Sequence, residues 1–309
     1  MRTVLAGDLG GTKCRFGLVA ADFSVHCTFQ IATIRERGPF LAEFDRALRH
    51  VLETRPPELE PPIAAGFGTA GVVVPTGGRI EDAPNLPLGG YPLAQHVLER
   101  TGLPATLIND GRASAWGEFV RGAAAGSDPL LCLFFGTGIG IGLIYGGSPY
   151  RGAANAAGEI GHTVYVPDGR LCPCGAAGHF EAWCGGRAIT ERAAEMCGVA
   201  PTGRWTVGDL VAAAARGDEI GIAASRILDE AALAAGTLVS NACTLLNPAA
   251  VVLGGGMLTG WPALRGRIED HVRGTTRRLI HDDLRFVPSL GGSDAVLFGA
   301  ALATGVLGA

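Results

Sequence analysis

Two hydrophobic rhythms run along the chain: short unbroken apolar runs, and apolar residues spaced three and four apart. Val4-Leu5-Ala6 and Phe16-Gly17-Leu18-Val19 are of the first kind, with Gly10-Gly11-Thr12 between them, so residues 3–20 are predicted to form strand, turn and strand. Phe40, Phe44, Leu48, Val51 and Leu52 share one face of a helix over 39–54. A proline-rich loop at 56–62 leads to strands near 63–67 and 71–75, a helix over 92–101, a strand at 104–109 and a helix over 111–123. Residues 130–146 repeat the opening pattern, with Gly136-Thr137-Gly138 at the turn. Helices over 187–198 and 206–216 precede a long helical pattern at 218–247, which Asn247-Pro248 stops because a residue before proline disfavours helix. The strand Ala250-Val251-Val252-Leu253, a Gly254-Gly255-Gly256 turn, a helix over 261–280, a strand at 284–287 and an apolar helix over 294–307 complete the chain. Strands alternating with helices predict an α/β protein.

Length and composition narrow the class. A chain of 309 residues exceeds one small core, and two lobes are expected, residues 1–118 forming the smaller and 119–293 the larger, with 294–309 packing back on the first. The apolar stretch 130–145 approaches membrane-spanning length, but its four glycines point to a buried strand–turn–strand instead. A formal charge of −4 offers no footprint for nucleic acid, and neither a nucleic-acid nor a membrane partner is expected. The first residues lack the charged and apolar regions of a signal peptide. Among the eight cysteines, Cys14, Cys27, Cys132, Cys197 and Cys243 are scattered through apolar or helical segments, a pattern of reduced thiols that fits the cytoplasm.

Candidate chemistry begins with Lys13, the one lysine among 25 basic residues, set in Gly7-Asp8-Leu9-Gly10-Gly11-Thr12-Lys13. A compact ammonium beside glycine amides suits a phosphate. The segment is not a Walker A loop: Thr12 occupies the place of its last glycine, Cys14 that of Ser/Thr, and a strand follows rather than a helix. Gly66-Phe67-Gly68-Thr69-Ala70-Gly71 spells a dinucleotide fingerprint, yet strand-like Val72-Val73-Val74-Pro75 follows where a helix N-terminus is needed. What remains is a glycine-tipped hairpin made twice, each tip bearing a Gly-Thr step and free amides, with a ligand between the copies. Asp8 would repel phosphate unless a cation intervenes, which implies Mg²⁺ held through water. The Gly254–Gly256 turn would let a base or ribose lie against the backbone.

These residues resemble the ROK family of sugar kinases, within the two-lobed actin-like ATPase (ribonuclease H-like) fold with its duplicated β-sheet lobe. Asp8-x-Gly10-Gly11-Thr12-Lys13 is similar to the family's first phosphate motif and Gly136-Thr137-Gly138-x-Gly140-x-Gly142 to its second. Asn247-Pro248 with Val252-Leu253-Gly254-Gly255-Gly256 resembles its adenosine strand and turn, and Ser293-Asp294-Ala295 with Gly299-Ala300-Ala301 its closing helix. The resemblance implies ATP as phosphoryl donor, a hexose acceptor and a homodimer.

It also implies site residues. Spacing alone leaves Asp110 as either a proton acceptor or a cap for the following helix; the resemblance places the catalytic aspartate there. Asn109, Glu159, His162 and Glu181 match the family's sugar contacts, Asn85 matches a residue before a closing loop, and Gly71 would approach a hydroxyl through its backbone. Cys172 and Cys174, with His162 ten residues before and His179 five after, can close a four-ligand structural Zn²⁺ site. This resembles the family's zinc loop, except that His179 stands where a third cysteine is usual, and Cys184 is a rival for the fourth place.

Three functions are therefore weighed: phosphorylation of glucose to glucose 6-phosphate, phosphorylation of an N-acetylhexosamine (N-acetylglucosamine or N-acetylmannosamine), and sugar sensing without catalysis. The phosphate motif begins at residue 8, leaving no room for the helix-turn-helix of the family's repressors, and Asp8, Lys13 and Asp110 favour chemistry.

Overall fold

The computed structural model describes residues 1–74, 78–83, 85–198, 203–289 and 292–308, without the side chain of Ser293. Pro75 and the Ser293 side chain, quoted above within motifs, lie outside the described residues. The chain divides into two compact units, one of Met1–Leu130, Gly142–Gly158 and Leu290–Ala309, the other of Leu131–Ile141 and Glu159–Ser289.

The first unit is built on β1 (Thr3–Leu9), β2 (Lys13–Ala20), β3 (Val25–Ala32), β4 (Ala65–Thr69) and β7 (Ala105–Asn109), in the order β3-β2-β1-β4-β7. Between β4 and β7 lie the short pair β5 (Val72–Val73) and β6 (Ile80–Asp82) and the helix α2 (Leu93–Thr101). β1 and β2 form the first hairpin, while β1, β4 and β7 run parallel. Their register aligns Leu9 with Thr69 and Thr69 with Asn109, so three strands end level. Asp8 and Asp110 are thereby brought to the same end of the sheet from sequence positions far apart.

Alternation along β1 decides what covers each face. Leu5 and Leu9 join Phe16, Leu18 and Phe67 against α1 (Arg37–Glu53), whose Phe40, Phe44, Leu48 and Val51 are the stripe read from the sequence. Val4, Ala6 and Val19 pack against Leu297 and Ala301 of α11 (Gly292–Leu302). α11 also crosses α3 (Asp110–Arg121) at backbone contact: a Cβ on Gly299 would stand 1.9 Å from Ala113 O, and one on Gly117 2.1 Å from Ala295 O. Gly66 and Gly68 are close-packing positions too, against Ala300 O and Val296, which is the role of the false dinucleotide fingerprint.

The second sheet runs β10-β9-β8-β11-β12, from β8 (Leu130–Phe135), β9 (Ile139–Tyr145), β10 (Ser148–Pro149), β11 (Ala250–Gly254) and β12 (Arg285–Pro288). The suspected span at 130–145 is this β8–β9 hairpin, and no helix among the described residues is long and apolar enough to cross a membrane. The second unit's helices are α4 (Glu181–Cys184), α5 (Gly186–Cys197), α6 (Val207–Ala214), α7 (Glu219–Leu246), α8 (Gly256–Gly260), α9 (Leu264–Thr275) and α10 (Arg278–His281). α7 starts under Asp218, whose carboxylate accepts from Gly221 N at 2.9 Å, and stops at Asn247 in the left-handed region, φ 43°. Its Ile227, Ala231, Leu238 and Ala242 meet Leu133, Leu253, Ile268 and Val272 in one core.

Two helical expectations are corrected. The segment 261–280 is two helices, because Thr276 turns extended (ψ 164°) while its hydroxyl bonds Val272 O and His281 Nδ1. The last helix ends at Leu302 rather than 307, with Gly305 in the left-handed region.

Candidate active site

In the first unit the tip Gly10–Thr12 joins β1 to β2 and leaves Thr12 and Lys13 exposed. Thr33, just past β3, pins this tip: its hydroxyl donates to Gly10 O at 2.6 Å and its amide to Thr12 O at 2.9 Å. Asn85 stands against the same tip, since a Cβ on Gly11 would lie 2.6 Å from Asn85 Cβ, and Arg35 Nη1 holds Asn85 O at 2.9 Å. At the end of β7, Asn109 rather than Asp110 caps α3: Asn109 Oδ1 accepts from Arg112 N at 3.2 Å. Asn109 Nδ2 donates to Gly71 O at 3.3 Å, tying two sequence candidates together. Asp110 is the first helical residue, half-buried, and Oδ1 accepts from Gly111 N at 2.8 Å. The capping alternative for Asp110 is thus taken by its neighbour.

Asp8 carries the clearest electrostatic signature. Burial, and then the charge of Asp110, push its carboxyl up to about 7, against the lowering influence of Lys13 and Arg15. A carboxyl raised by a neighbouring carboxylate beside a lysine suits a divalent cation, which relieves the repulsion. Because the folded pKa lies above the ordinary 3.8, the folded state holds this proton more tightly than the unfolded chain does. The stability it contributes is full below about pH 4 and lost as pH rises through about 7. Asp8→Asn is therefore expected to stabilise the ligand-free protein by about 1–3 kcal/mol at pH 8 and by only about a tenth as much at pH 4. Paired thermal melts at the two pH values test this; an equal effect at both contradicts the buried-charge account.

Arg112 escaped sequence reading because an arginine in a helix usually faces solvent. It is 4% exposed, and its guanidinium donates to Asn155 Oδ1, Asn155 O and Ala157 O, each at 2.9 Å. Asn155 in turn donates to Val73 O at 2.8 Å. The residue just past Asp110 and Gly111 thus anchors the 155–157 turn.

In the second unit the tip Gly136–Gly138 joins β8 to β9 with Thr137 exposed. Gly255 lies beside it, where a Cβ would meet Phe135 O at 2.2 Å, and Gly254 packs on Phe134 and Ser289. Gly256 opens α8 with nothing within 4 Å of its would-be Cβ. Glu181, at the start of α4, accepts from Ile139 N through Oε2 at 2.9 Å.

His162, Cys172, Cys174 and His179 offer ligand atoms that all lie within 4.8 Å of one another. His162 Nδ1 is 3.5 Å from Cys172 Sγ and His179 Nδ1 is 3.2 Å from Cys174 Sγ. Cys184 is elsewhere, fully buried in the core with its thiol donating to Phe180 O at 3.3 Å, and burial raises its pKa far above the ordinary range. Two sulfurs and two imidazoles in this spacing fit a tetrahedral Zn²⁺. Glu159 Oε2 stands 3.8 Å from His162 Nε2, a carboxylate on the side of the ring away from Cys172.

A model of the ROK family matches residues 4–304. The glucokinase of Streptomyces coelicolor is 32% identical over 267 residues, covering 83% of this chain and 83% of that protein. The N-acetylmannosamine kinase of Vibrio cholerae is 30% identical over 306 residues, 97% of this chain and 98% of that protein. A solved ROK family glucokinase from Streptomyces griseus, in complex with glucose and AMPPNP, is 30% identical, covers 97% of this chain and 98% of its own, and has a TM-score of 0.76.

Proposed function

The chain belongs to the ROK family, and we propose that it transfers the γ-phosphoryl group of ATP to a hydroxyl of a hexose, making glucose 6-phosphate from glucose. It is a sugar kinase with the fold of the actin-like ATPases. The observation that carries this reading is the meeting of Asp8 and Asp110 at the level ends of parallel strands, beside a glycine tip and its lysine.

Phosphoryl transfer asks mainly for positioning and for charge opposite the phosphates. Gly10, Gly11, Thr12 and Lys13 serve one part of the triphosphate, and Gly136, Thr137 and Gly138 another, through amides, hydroxyls and one ammonium. Gly254, Gly255 and Gly256 offer bare backbone to the nucleoside. Mg²⁺, when bound with the nucleotide, neutralises phosphate charge, and Asp8 is the residue that would hold it through water. Asp110 accepts the proton of the attacking hydroxyl and aims its oxygen at the γ-phosphorus. Asn85, Asn109, Gly71, Glu159, His162 and Glu181 bind the remaining hydroxyls, a polar set that rejects acceptors lacking them. His162, Cys172, Cys174 and His179 would hold Zn²⁺ in a structural role. His162 would then offer Nδ1 to the metal and keep its one Nε2–H for the sugar, with the Glu159 carboxylate 3.8 Å away.

The match to an N-acetylmannosamine kinase over 97% of this chain supports a second reading, in which the acceptor carries an N-acetyl group at C2. Steady-state rates with ATP and glucose, mannose, fructose, N-acetylglucosamine and N-acetylmannosamine separate the two. Glucose is expected to give the highest kcat/KM. N-acetylmannosamine ranking first would establish the second reading, and no ADP formed with any acceptor would end both.

A further inference from the structure

The loop tip at Gly136–Gly138 is held by one short stretch of chain, residues 181–187, at three points. Glu181 Oε2 accepts from Ile139 N at 2.9 Å, Gly186 N donates to Gly136 O at 3.0 Å, and Arg187 N donates to Thr137 O at 2.9 Å. The two amides belong to the first turn of α5, where backbone donors lack helical partners, so the tip's carbonyls satisfy them. Contact is tight as well as polar: a Cβ on Gly138 would stand 2.5 Å from Glu181 Oε2, and one on Gly186 2.4 Å from Gly136 O. Glu181 is itself fixed from behind, because α4 begins where Ala182 N donates to the carbonyl of His179 and because Phe180 and Cys184 are buried.

We infer that Glu181 is a positioning residue for this hairpin as well as a sugar ligand, so that one carboxylate couples hexose binding to nucleotide binding. Oε2 fixes the amide that begins β9, and Oε1 remains for a sugar hydroxyl. A hydroxyl donated to Oε1 draws the carboxylate into one orientation, which orders Ile139 N and hence the preceding amides of Thr137 and Gly138. A hexose bound at Glu181 therefore raises the affinity for the phosphates, and the phosphates raise the affinity for hexose by the same factor. The inference rests on the kinase reading for its ligands, while the clamp itself can be tested without it.

Affinity for Mg·ADP, with and without glucose, and amide hydrogen exchange at Ile139 are to be measured in the parent, Glu181→Gln, Glu181→Ala and Gly186→Ala. Glucose is expected to tighten Mg·ADP about fivefold or more in the parent. Without glucose, Glu181→Ala should weaken Mg·ADP about tenfold and speed exchange at Ile139, because a charge-assisted bond to a backbone amide is lost. Glu181→Gln keeps an acceptor, so it should hold Ile139 protected and lie between parent and alanine variant. Gly186→Ala leaves Glu181 intact but crowds Gly136 O, and should also weaken sugar-free Mg·ADP binding. A role confined to sugar contact would raise the KM for hexose alone. Parent-like exchange at Ile139 with parent-like Mg·ADP affinity in Glu181→Ala overturns the inference. A parent that binds no Mg·ADP refutes the nucleotide coupling together with the kinase reading, and exchange at Ile139 then reports the clamp by itself.

Discussion

Asp110→Asn should lower kcat by about 10²–10⁴-fold while hexose affinity changes by no more than about threefold. The substitution keeps the shape of the side chain, and an amide oxygen can still accept from Gly111 N as Oδ1 does now. Asn109, not Asp110, caps α3, so the helix start should survive. What disappears is the group able to take a proton from the attacking hydroxyl. The same change removes a charge that raises the Asp8 carboxyl, so the pH at which Asp8 loses its proton should fall. Kinetics and pH-dependent melting thus report on one residue independently. A kcat within tenfold of the parent would remove Asp110 from the base role, and an unmoved Asp8 titration would deny the two carboxylates their contact.

Removal of zinc is the second large effect. Metal analysis of purified protein should find about one zinc per chain, and stripping it with a chelator should lower the melting temperature by about 5–15 °C. Backbone bonds such as Cys172 N to Ala176 O and Gly178 N to Arg170 O shape the loop, but it buries little apolar surface of its own: Leu171 is 74% exposed, Val164 is exposed, and Cys174 is at the surface. Burial pushes the Cys172 thiol up to about 11, so that thiol keeps its proton at neutral pH without the metal, and binding must displace it. Apparent zinc affinity should therefore climb as pH rises from about 6 to 9. Cys184→Ala, by contrast, should leave zinc content at about one per chain, because that thiol points at Phe180 O inside the core. Loss of zinc from the Cys184 variant would reverse the ligand assignment.

Elements with one-sided burial were the legible ones. The Phe40–Val51 stripe marks α1 because each of those side chains faces the same sheet, and Asn247-Pro248 marks the end of α7 through backbone rules alone. β3 was overlooked although Val25, Cys27, Phe29 and Ile31 alternate with His26, Thr28 and Gln30, the period of a half-buried edge strand. The break at Thr276 is a local choice between hydrogen-bond partners that hydrophobic spacing does not record. At the site, the glycine tips and the Cys/His spacing were readable as short motifs. The pairing of Asp8 with Asp110 was not, because it depends on the register of β1, β4 and β7, a property of strands distant in sequence. Thr33 and Arg112 carry no motif; only their hydrogen bonds to Gly10 O and Asn155 reveal them.

The most direct test of the account is a ³¹P NMR time course of the protein with ATP, Mg²⁺ and glucose, run beside Asp110→Asn. The parent should convert the γ-phosphate resonance into a sugar phosphate monoester in step with ADP, and the variant should form almost none over the same interval. Release of inorganic phosphate without ester, or ester formation at equal rates by both proteins, would contradict a hydroxyl-directed transfer governed by Asp110.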